Sequence, residues 1–346
     1  MKHVVKVIAL AVSVAALTGC SSGGGNKPAP SQTPAPVYVT APLTGVKFVE
    51  GSNSHLAEPS VACKVDNLDV ARPQSGLNHA DIVFDEMVEG GLTRFVAVFH
   101  SDKPNAIGPV RSIRPMDPDI ISPFGGIVCY SGGQLKFVKM MRDTNVFNAN
   151  ETEEQGKGTF TRAANREAPH NVIVDIAKLA AAHPDLKAPA QFFMYSADPA
   201  SSSAGKAGVG VKSFKVYYPA ALAEWTWNGS VWERTQDGKP HFDVMDNSRL
   251  NTVNVVVMNV KVDHQYGHVP KDLVIGTGKA TVFTNGKMVE ATWTKASRTA
   301  AISLTDAMGA QVLLAPGRTW VELQPTESEG GKLKVTLAPT PTPSTK

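Results

Sequence analysis

The sequence predicts an α+β fold in which an N-terminal mixed α/β domain is followed by a mainly antiparallel β domain. In the first half, short runs of β-forming residues alternate with helix-like segments, which is typical of mixed α/β structure. In the second half, longer β-forming runs are joined by Asn-Gly pairs, which favour tight hairpin turns. With 42% apolar residues, a chain of 346 residues can build two cores of ordinary size.

The first domain is predicted over residues 43–197. Its strands are expected at Val61–Val65, Ile82–Met87, Phe95–His100, Ile127–Tyr130 and Asn171–Val174. Its helices are expected at Met116–Ile121, Gly133–Met141 and Asp175–Ala182. Asp175 directly follows an apolar strand and is well placed as an N-cap, and Pro184 is placed to end the helix.

A serine- and glycine-containing linker is predicted over residues 198–212, before a β-rich domain at 213–326. Within that domain, Asn228-Gly229 and Asn285-Gly286 each lie between β-forming runs and predict type I′ hairpin turns. Two further strands are expected, the second of them as the last strand of the chain: Thr252–Val262 and Arg318–Leu323.

Residues 1–19 have the pattern of a lipoprotein signal peptide. Basic residues between positions 2 and 6 precede an apolar run that is too short to span about 30 Å of hydrocarbon as a helix. The run ends in Leu17-Thr18-Gly19-Cys20, a lipobox in which Cys20 is the expected site of lipidation. The sequence therefore predicts an extracytoplasmic protein, lipid-anchored to the outer face of the cell membrane.

Low-complexity segments are expected to flank the two domains. Residues 20–42 are rich in Gly, Ser, Pro and Ala and are predicted to be a flexible spacer. Residues 327–346 end in repeated Pro and Thr and are predicted to be a disordered tail. Neither segment is expected to carry chemistry.

Two cysteines remain after the lipobox, Cys63 and Cys129, and both lie in apolar, β-forming runs. Outside the cytoplasm such a pair can persist as a disulfide, and the sequence leaves open whether the two are bridged or buried separately as thiols. No spacing of cysteine and histidine indicates a metal site, and no cofactor is expected. The formal net charge of +3 argues against a bulk nucleic-acid binder.

Polar motifs follow one another along both domains. In the first they are Val65-Asp66-Asn67, Ala71–Leu77 (ARPQSGL), Ala80–Val83 (ADIV), Glu86–Phe95 (EMVEGGLTRF), Gly108–Pro115 (GPVRSIRP) and Ala168–Asn171 (APHN). In the second they are Gly238–His241 (GKPH), Thr284–Lys287 (TNGK) and Pro316–Trp320 (PGRTW). This series, over roughly Val61 to Gln324, resembles the DUF3048 family of YerB-like lipoproteins of Gram-positive bacteria. The resemblance implies a lipoprotein of the cell envelope and leaves its activity open, because the family's biochemical function is not established.

Arginines gather at predicted strand ends and in Pro/Gly turns of the first domain. A rigid scaffold can aim such side chains at one place, and planar guanidinium groups suit carboxylates and phosphates. We therefore predict a ligand site for an anionic envelope component, peptidoglycan or an anionic wall polymer, formed by Arg72, Arg94, Arg111, Arg114 and Asn67. The alternative is that each arginine pairs with a nearby carboxylate and only holds a loop in place.

A cell-wall hydrolase or transferase is the second hypothesis. Glu86 and Glu89 are a carboxylate pair, and glycoside hydrolysis uses two carboxylates about 5–9 Å apart. His170 is suited to act as a general base or to cap a turn. No Gly-x-Ser-x-Gly nucleophile motif is present. The sequence favours a binding or accessory protein and leaves the question of an enzyme open.

Overall fold

The computed structural model describes residues 35–339, of which residues from Val37 onward form one compact unit. The predicted signal peptide, Cys20, most of the spacer and residues 340–346 lie outside the described residues. Within 35–339, no helix is both long and apolar enough to cross a lipid bilayer.

The first half of the described chain contains short strands and three α-helices. The strands are β1 (Tyr38–Thr40), β2 (Lys47–Val49), β3 (Val61–Asp66), β4 (Ile82–Met87), β5 (Thr93–Phe99), β6 (Ile127–Tyr130), β7 (Phe147–Asn150), β8 (Phe160–Arg162) and β9 (Val172–Val174). The helices are α1 (Asp117–Ile121), α2 (Leu135–Arg142) and α3 (Ile176–Ala181), with 3₁₀ turns at Ser54–Ala57, Asp69–Ala71, Leu77–His79, Glu89–Gly91 and Ser122–Phe124. Asp175 caps α3 as expected, because its side chain accepts the backbone N–H of Lys178.

The second half is almost entirely strand. After a 3₁₀ turn at Pro199–Ser201 and helix α4 (Ser203–Ala207), it contains β10 (Val209–Tyr217), β11 (Leu222–Trp227), β12 (Trp232–Gln236), β13 (Lys239–Pro240), β14 (Phe242–Asp243), β15 (Ser248–Arg249), β16 (Asn251–Thr252) and β17 (Asn254–Asp263). It continues with β18 (Lys271–Leu273), β19 (Gly276–Thr284), β20 (Lys287–Lys295), β21 (Ser303–Thr305), β22 (Thr319–Pro325), a 3₁₀ turn at Glu327–Glu329 and β23 (Lys332–Leu337). The described chain is therefore mainly β.

A large mixed sheet runs through both halves. Strands lie side by side in the order β7, β6, β3, β5, β4, β22, β17, β19 and β20. Strand β22 pairs in parallel with β4 on one side and with β17 on the other. The sheet is thus continuous between the two predicted domains. The limits of those domains remain a prediction.

The central strands bury both of their faces, because successive side chains point to opposite sides of a sheet. Phe84 and Val96 belong to one core, whereas Val83 and Phe95 belong to the other. Consecutive charged residues at the end of β4 are therefore directed to opposite faces.

The two cysteines of the first half occupy neighbouring strands. Cys63 on β3 pairs in register with Cys129 on the parallel strand β6, and their Cα atoms are 4.7 Å apart. The structure joins the two sulfur atoms as a disulfide across a separation of 66 residues. Both side chains are fully buried, so the bridge lies inside the core.

Three segments that were expected to lack structure have it. The end of the spacer forms β1, which pairs with β2. The linker contains α4, capped by Ser202, and then the start of β10. The expected tail contains β23, so Arg318–Leu323 does not hold the last strand. The reason is visible in the alternation of Lys332–Leu337, where Leu333 and Val335 pack against the core while lysines face outward.

The two Asn-Gly pairs form different turns. Asn285 and Gly286 both have positive φ, 53° and 67°, and join paired residues as the expected two-residue turn. Asn228 is part of a wider loop between Trp227 and Trp232, so the type I′ prediction is wrong there. Its side-chain oxygen accepts backbone N–H groups within the loop, which stabilises an alternative turn.

Candidate functional site

One face of the central sheet becomes charged where the strands β3, β4 and β5 meet at one end. Arg94 at the start of β5 lies directly opposite Asp66 of β3 and Glu86 of β4. Directly paired residues direct their side chains to the same face, and Lys64, two residues before Asp66, shares it. The ends of strands β3 and β4 and the start of β5 therefore bring four charged side chains together in one charged group: Lys64, Asp66, Glu86 and Arg94.

Lys64 is fully buried and forms the base of this charged group. Its Nζ donates to Glu86 Oε1 and, at 2.8 Å, to Asp117 Oδ1 at the start of α1. Burial lowers the pKa of Lys64 to about 8, and the neighbouring charge of Asp117 opposes that shift. Asp117 also accepts the backbone N–H of Arg114, so the buried ion pairs fix the loop that carries this arginine. Sequence reasoning missed Lys64, although a lysine inside an apolar strand was a signal for it.

Arg94, Arg111 and Arg114 come together beside this base. Arg114 Nε donates to Glu89 Oε2 at 2.9 Å, and Arg111 Nε lies 3.3 Å from Asp66 Oδ2. Burial lowers the pKa of Arg94 to about 10, and the like charges of Arg114 and Arg111 add to that effect. Three of the four predicted arginines therefore converge.

Arg94 differs from its two neighbours in its partners. It donates to the carbonyl oxygen of Ser112 at 3.3 Å, and no carboxylate of the described residues lies within 4.0 Å of its guanidinium. Only 7% of its surface is exposed. Arg94 nevertheless lines a cavity of about 320 Å³. We call this cavity the arginine cleft; its walls include Leu68, Val88, Glu89, Leu92, Arg94 and Arg114.

Arg72 and Asn67 are not part of the arginine cleft. Arg72 pairs with Asp69 at 3.0 Å and with Asp237 at 2.8 Å, and lines a different cavity of about 540 Å³. Asn67 is buried and donates to Thr93 Oγ1 at 2.8 Å and to a glutamine of β12 at 3.1 Å. The prediction that these two residues share the arginine site needs correction, because their polar groups are used within the fold.

The predicted catalytic pair of glutamates is also engaged internally. Glu86 is fully buried against Lys64. Burial alone would raise the pKa of Glu89, but its hydrogen bond and ion pair with Arg114 outweigh that effect and lower it. A glycosidase needs a carboxyl group with a raised pKa as its acid, and Glu89 has the opposite shift. The burial of Glu86 against Lys64 and the ion pair of Glu89 with Arg114 do not support these two residues as a hydrolytic pair.

His170 retains one unengaged ring nitrogen. Its Nδ1 lies 2.6 Å from Oδ2 of the buried Asp66, which is the carboxylate that also faces Arg111. The ring is partly exposed and lines a third cavity of about 770 Å³. Within residues 35–339, no group of three or more His, Cys, Asp or Glu side chains is arranged to hold a metal ion.

The opposite face of the sheet carries a second charged group that the sequence did not indicate. Arg234 of β12 donates to Asp85 Oδ2 at 2.5 Å, and Glu322 of β22 lies 3.8 Å from the same guanidinium nitrogen. Glu322 accepts hydrogen bonds from Tyr218 at 2.9 Å and from Trp225 at 2.8 Å. All of these polar side chains are buried, so this group has no access to solvent.

Comparisons with known proteins agree with this fold. Residues 43–188 match the family model of the N-terminal domain described as "Protein of unknown function (DUF3048)", and residues 214–321 match the model of its C-terminal domain. The "Putative lipoprotein YerB" of Bacillus subtilis (strain 168) is 29% identical over 297 residues, which cover 82% of this chain and 86% of that protein. The crystal structure of YerB protein from Bacillus subtilis has a TM-score of 0.73 at 23% identity, covering 86% of this chain and 99% of that one.

Proposed function

The chain belongs to the DUF3048 family, and from this premise we propose that it is an extracytoplasmic, membrane-anchored lipoprotein that binds an anionic component of the cell envelope in the arginine cleft. The lipobox at Cys20 and the lipoprotein name of the Bacillus subtilis relative support the anchor. Binding, rather than catalysis, is proposed because the described carboxylates near the cleft are engaged in ion pairs.

Arg94 carries the proposal. A guanidinium that is 7% exposed and lacks a carboxylate partner has lost most of its hydration without a compensating ion pair. An anion entering the arginine cleft would accept hydrogen bonds from Arg94 and lie close to Arg114, which forms an ion pair with Glu89. The unpaired cation therefore favours a negatively charged ligand group at this position.

The size and lining of the cleft limit what binds there. A volume of about 320 Å³ is at the small end for a ligand pocket, so it suits one carboxylate or phosphate with the adjoining part of a chain. Leu68, Val88 and Leu92 provide apolar walls for that adjoining part. A stem-peptide carboxylate of peptidoglycan and a phosphate of a wall polymer both have this chemistry.

Arg94→Gln tests the proposal. We expect the full-length protein, purified in detergent, to sediment with purified cell wall and the variant to bind about 10- to 100-fold more weakly. This range corresponds to loss of a charge-assisted hydrogen bond worth about 1.5–3 kcal/mol. Arg142→Gln is the matched control, because Arg142 is an exposed arginine paired with Glu153.

Two wall preparations distinguish the ligands. Binding that is lost when phosphate-bearing polymers are removed assigns the phosphate, and binding that persists assigns the peptidoglycan carboxylate. A wild-type protein that does not sediment with either preparation, or an Arg94→Gln variant that binds as well as wild type, contradicts the proposal. The alternative function, a hydrolase or transferase, retains one candidate residue. Nε2 of His170 has no hydrogen-bond partner among the described residues.

A further inference from the structure

His170 lies in a cleft separate from the arginine cleft, and we call it the histidine cleft. Its volume is about 770 Å³, and its walls include Val70, Arg72, Arg166, Glu167, His170 and Val244. Val70 and Val244 are 69% and 51% exposed, so part of the wall is apolar and open to solvent. The cleft is large enough for a segment of a polymer.

The buried carboxylate of Asp66 fixes the imidazole of His170. Asp66 is 0% exposed, and its oxygens face the ring Nδ1 at 2.6 Å, the backbone N–H of Leu68 at 3.2 Å and Arg111 Nε at 3.3 Å. A carboxylate accepts hydrogen bonds and cannot donate them, so the hydrogen-bond network assigns the proton of the neutral ring to Nδ1. The lone pair is therefore on Nε2.

Another histidine of this chain shows what a purely structural arrangement looks like. His79 has both ring nitrogens engaged, with Asp102 at 2.7 Å and Asp246 at 2.9 Å, and bridges two loops. His170 has a carboxylate at one nitrogen, and its Nε2 has no hydrogen-bond partner among residues 35–339. The difference leaves Nε2 of His170 available to accept a proton from a group that is not part of the chain.

Hydrogen bonds also fix the loops around His170. The carbonyl oxygen of Pro169 accepts a hydrogen bond from Arg111 Nη1 at 3.1 Å. Arg166 donates to the carbonyl oxygen of Ala71 at 2.9 Å and to that of Pro73, which ties the two walls of the cleft together. A base held by its second nitrogen between fixed walls has the preorganisation that proton transfer requires.

We infer that the Asp66–His170 pair is a general-base site that hydrolyses a phosphodiester bound in the histidine cleft. An anionic ester is the substrate class because Arg166 lines the cleft and, among the described residues, donates to carbonyl oxygens rather than to a carboxylate, so its positive charge is not neutralised by an ion pair. The inference rests on the proposed function in one respect: it takes the phosphate-bearing wall polymer as the anionic ligand.

The reaction requires water and no other reactant. Nε2 of His170 accepts a proton from a water molecule as the water oxygen forms a bond to phosphorus. The bond between phosphorus and the leaving oxygen, on the opposite side of phosphorus, breaks; that oxygen takes a proton from solvent water, and the imidazolium releases its proton to solvent. The products are a phosphate monoester and an alcohol, and Asp66 stabilises the imidazolium between the two proton transfers.

The test uses bis(p-nitrophenyl) phosphate with the full-length protein in detergent. We expect His170→Gln to reduce kcat at least about 100-fold, the usual contribution of a general base. His79→Gln is the matched control and should leave turnover unchanged, because His79 lies outside the cleft lining. Asp66→Asn should lower kcat with little change in KM, because Asp66 is a positioning residue that does not touch the substrate.

Two results would overturn the inference: p-nitrophenolate release by wild type that does not exceed that of His170→Gln, and an equal loss in His79→Gln. Urea unfolding midpoints of the variants distinguish loss of the base from loss of the fold. The sedimentation assay separates this inference from the proposed function. Wall binding that depends on Arg94, without phosphodiester hydrolysis, refutes the general base alone, whereas hydrolysis without wall binding refutes the proposed function alone.

Discussion

Two neighbouring residues of β4, Asp85 and Glu86, anchor two charged groups on opposite faces of the same sheet. The Asp85 group is closed: Arg234 and Glu322 are buried, and the guanidinium lies over the rings of Phe95, Trp225 and Trp320 at 4.8–5.5 Å. The Glu86 group is open, because it adjoins the unpaired Arg94 at a cavity.

The difference shows how the same residue types serve stability in one place and recognition in another. In the closed group, aromatic rings exclude water and each charged side chain has partners within the protein. In the open group, Lys64 forms ion pairs with both Glu86 and Asp117, whereas Arg94 has no carboxylate partner among the described residues. The number of buried charges therefore does not identify a site; an unpaired donor at a cavity does.

Removal of Arg234 gives the largest effect that we expect. Arg234→Leu leaves Asp85 and Glu322 buried without their cation, so we expect the free energy of unfolding to fall by about 3–5 kcal/mol in urea denaturation. Asp85→Asn is the matched control. Burial and the neighbouring Glu322 raise the pKa of Asp85, because both make its negative charge costly, so a neutral amide at this position should cost much less stability than the loss of Arg234.

Wall binding distinguishes the two groups in the same variant. Arg234→Leu should bind cell wall as wild type does under conditions where it remains folded, because the arginine cleft lies on the opposite face. A loss of stability below about 1 kcal/mol, or a loss of binding by folded protein, would show that the closed group is not purely structural.

The open group was partly predictable from the sequence and the closed group was not. The ends of the β-forming runs placed Asp66, Glu86 and Arg94 at one edge, which required only local pattern. Arg234 meets Asp85 from 149 residues away, and no local signal indicates that pairing. Arg72 illustrates the same limit at a turn: its position is visible in the sequence, but its direction depends on Asp237 in the other half.

Asp272 gives the next largest effect and sharpens the description of the open group. Its Oδ2 accepts the backbone N–H of Met87 at 2.9 Å, its Oδ1 has no partner, and burial raises its pKa to about 7. The folded protein therefore retains this proton up to about pH 7, whereas the unfolded chain loses it near the ordinary value of 3.8. The contribution of Asp272 to stability falls as pH rises between these values.

Asp272→Asn removes that titration. We expect the variant to be more stable than wild type by on the order of 2 kcal/mol at pH 8, with a smaller difference at pH 5. Urea denaturation of both proteins at the two pH values measures it. A difference that does not change with pH would show that Asp272 is ionised in the folded protein, and that the positive charge of Lys64 outweighs its burial.

Arg72 gives the smallest effect and tests the limit of the arginine cleft. Its partners Asp69 and Asp237 are 65% and 39% exposed at their side chains, so Arg72→Gln should cost less than about 1 kcal/mol of stability. Wall binding should stay within about twofold of wild type, because the charge of Arg72 is already neutralised outside the cleft. A loss as large as that of Arg94→Gln would mean that the ligand extends from the arginine cleft to Arg72, and that paired arginines also take part in recognition.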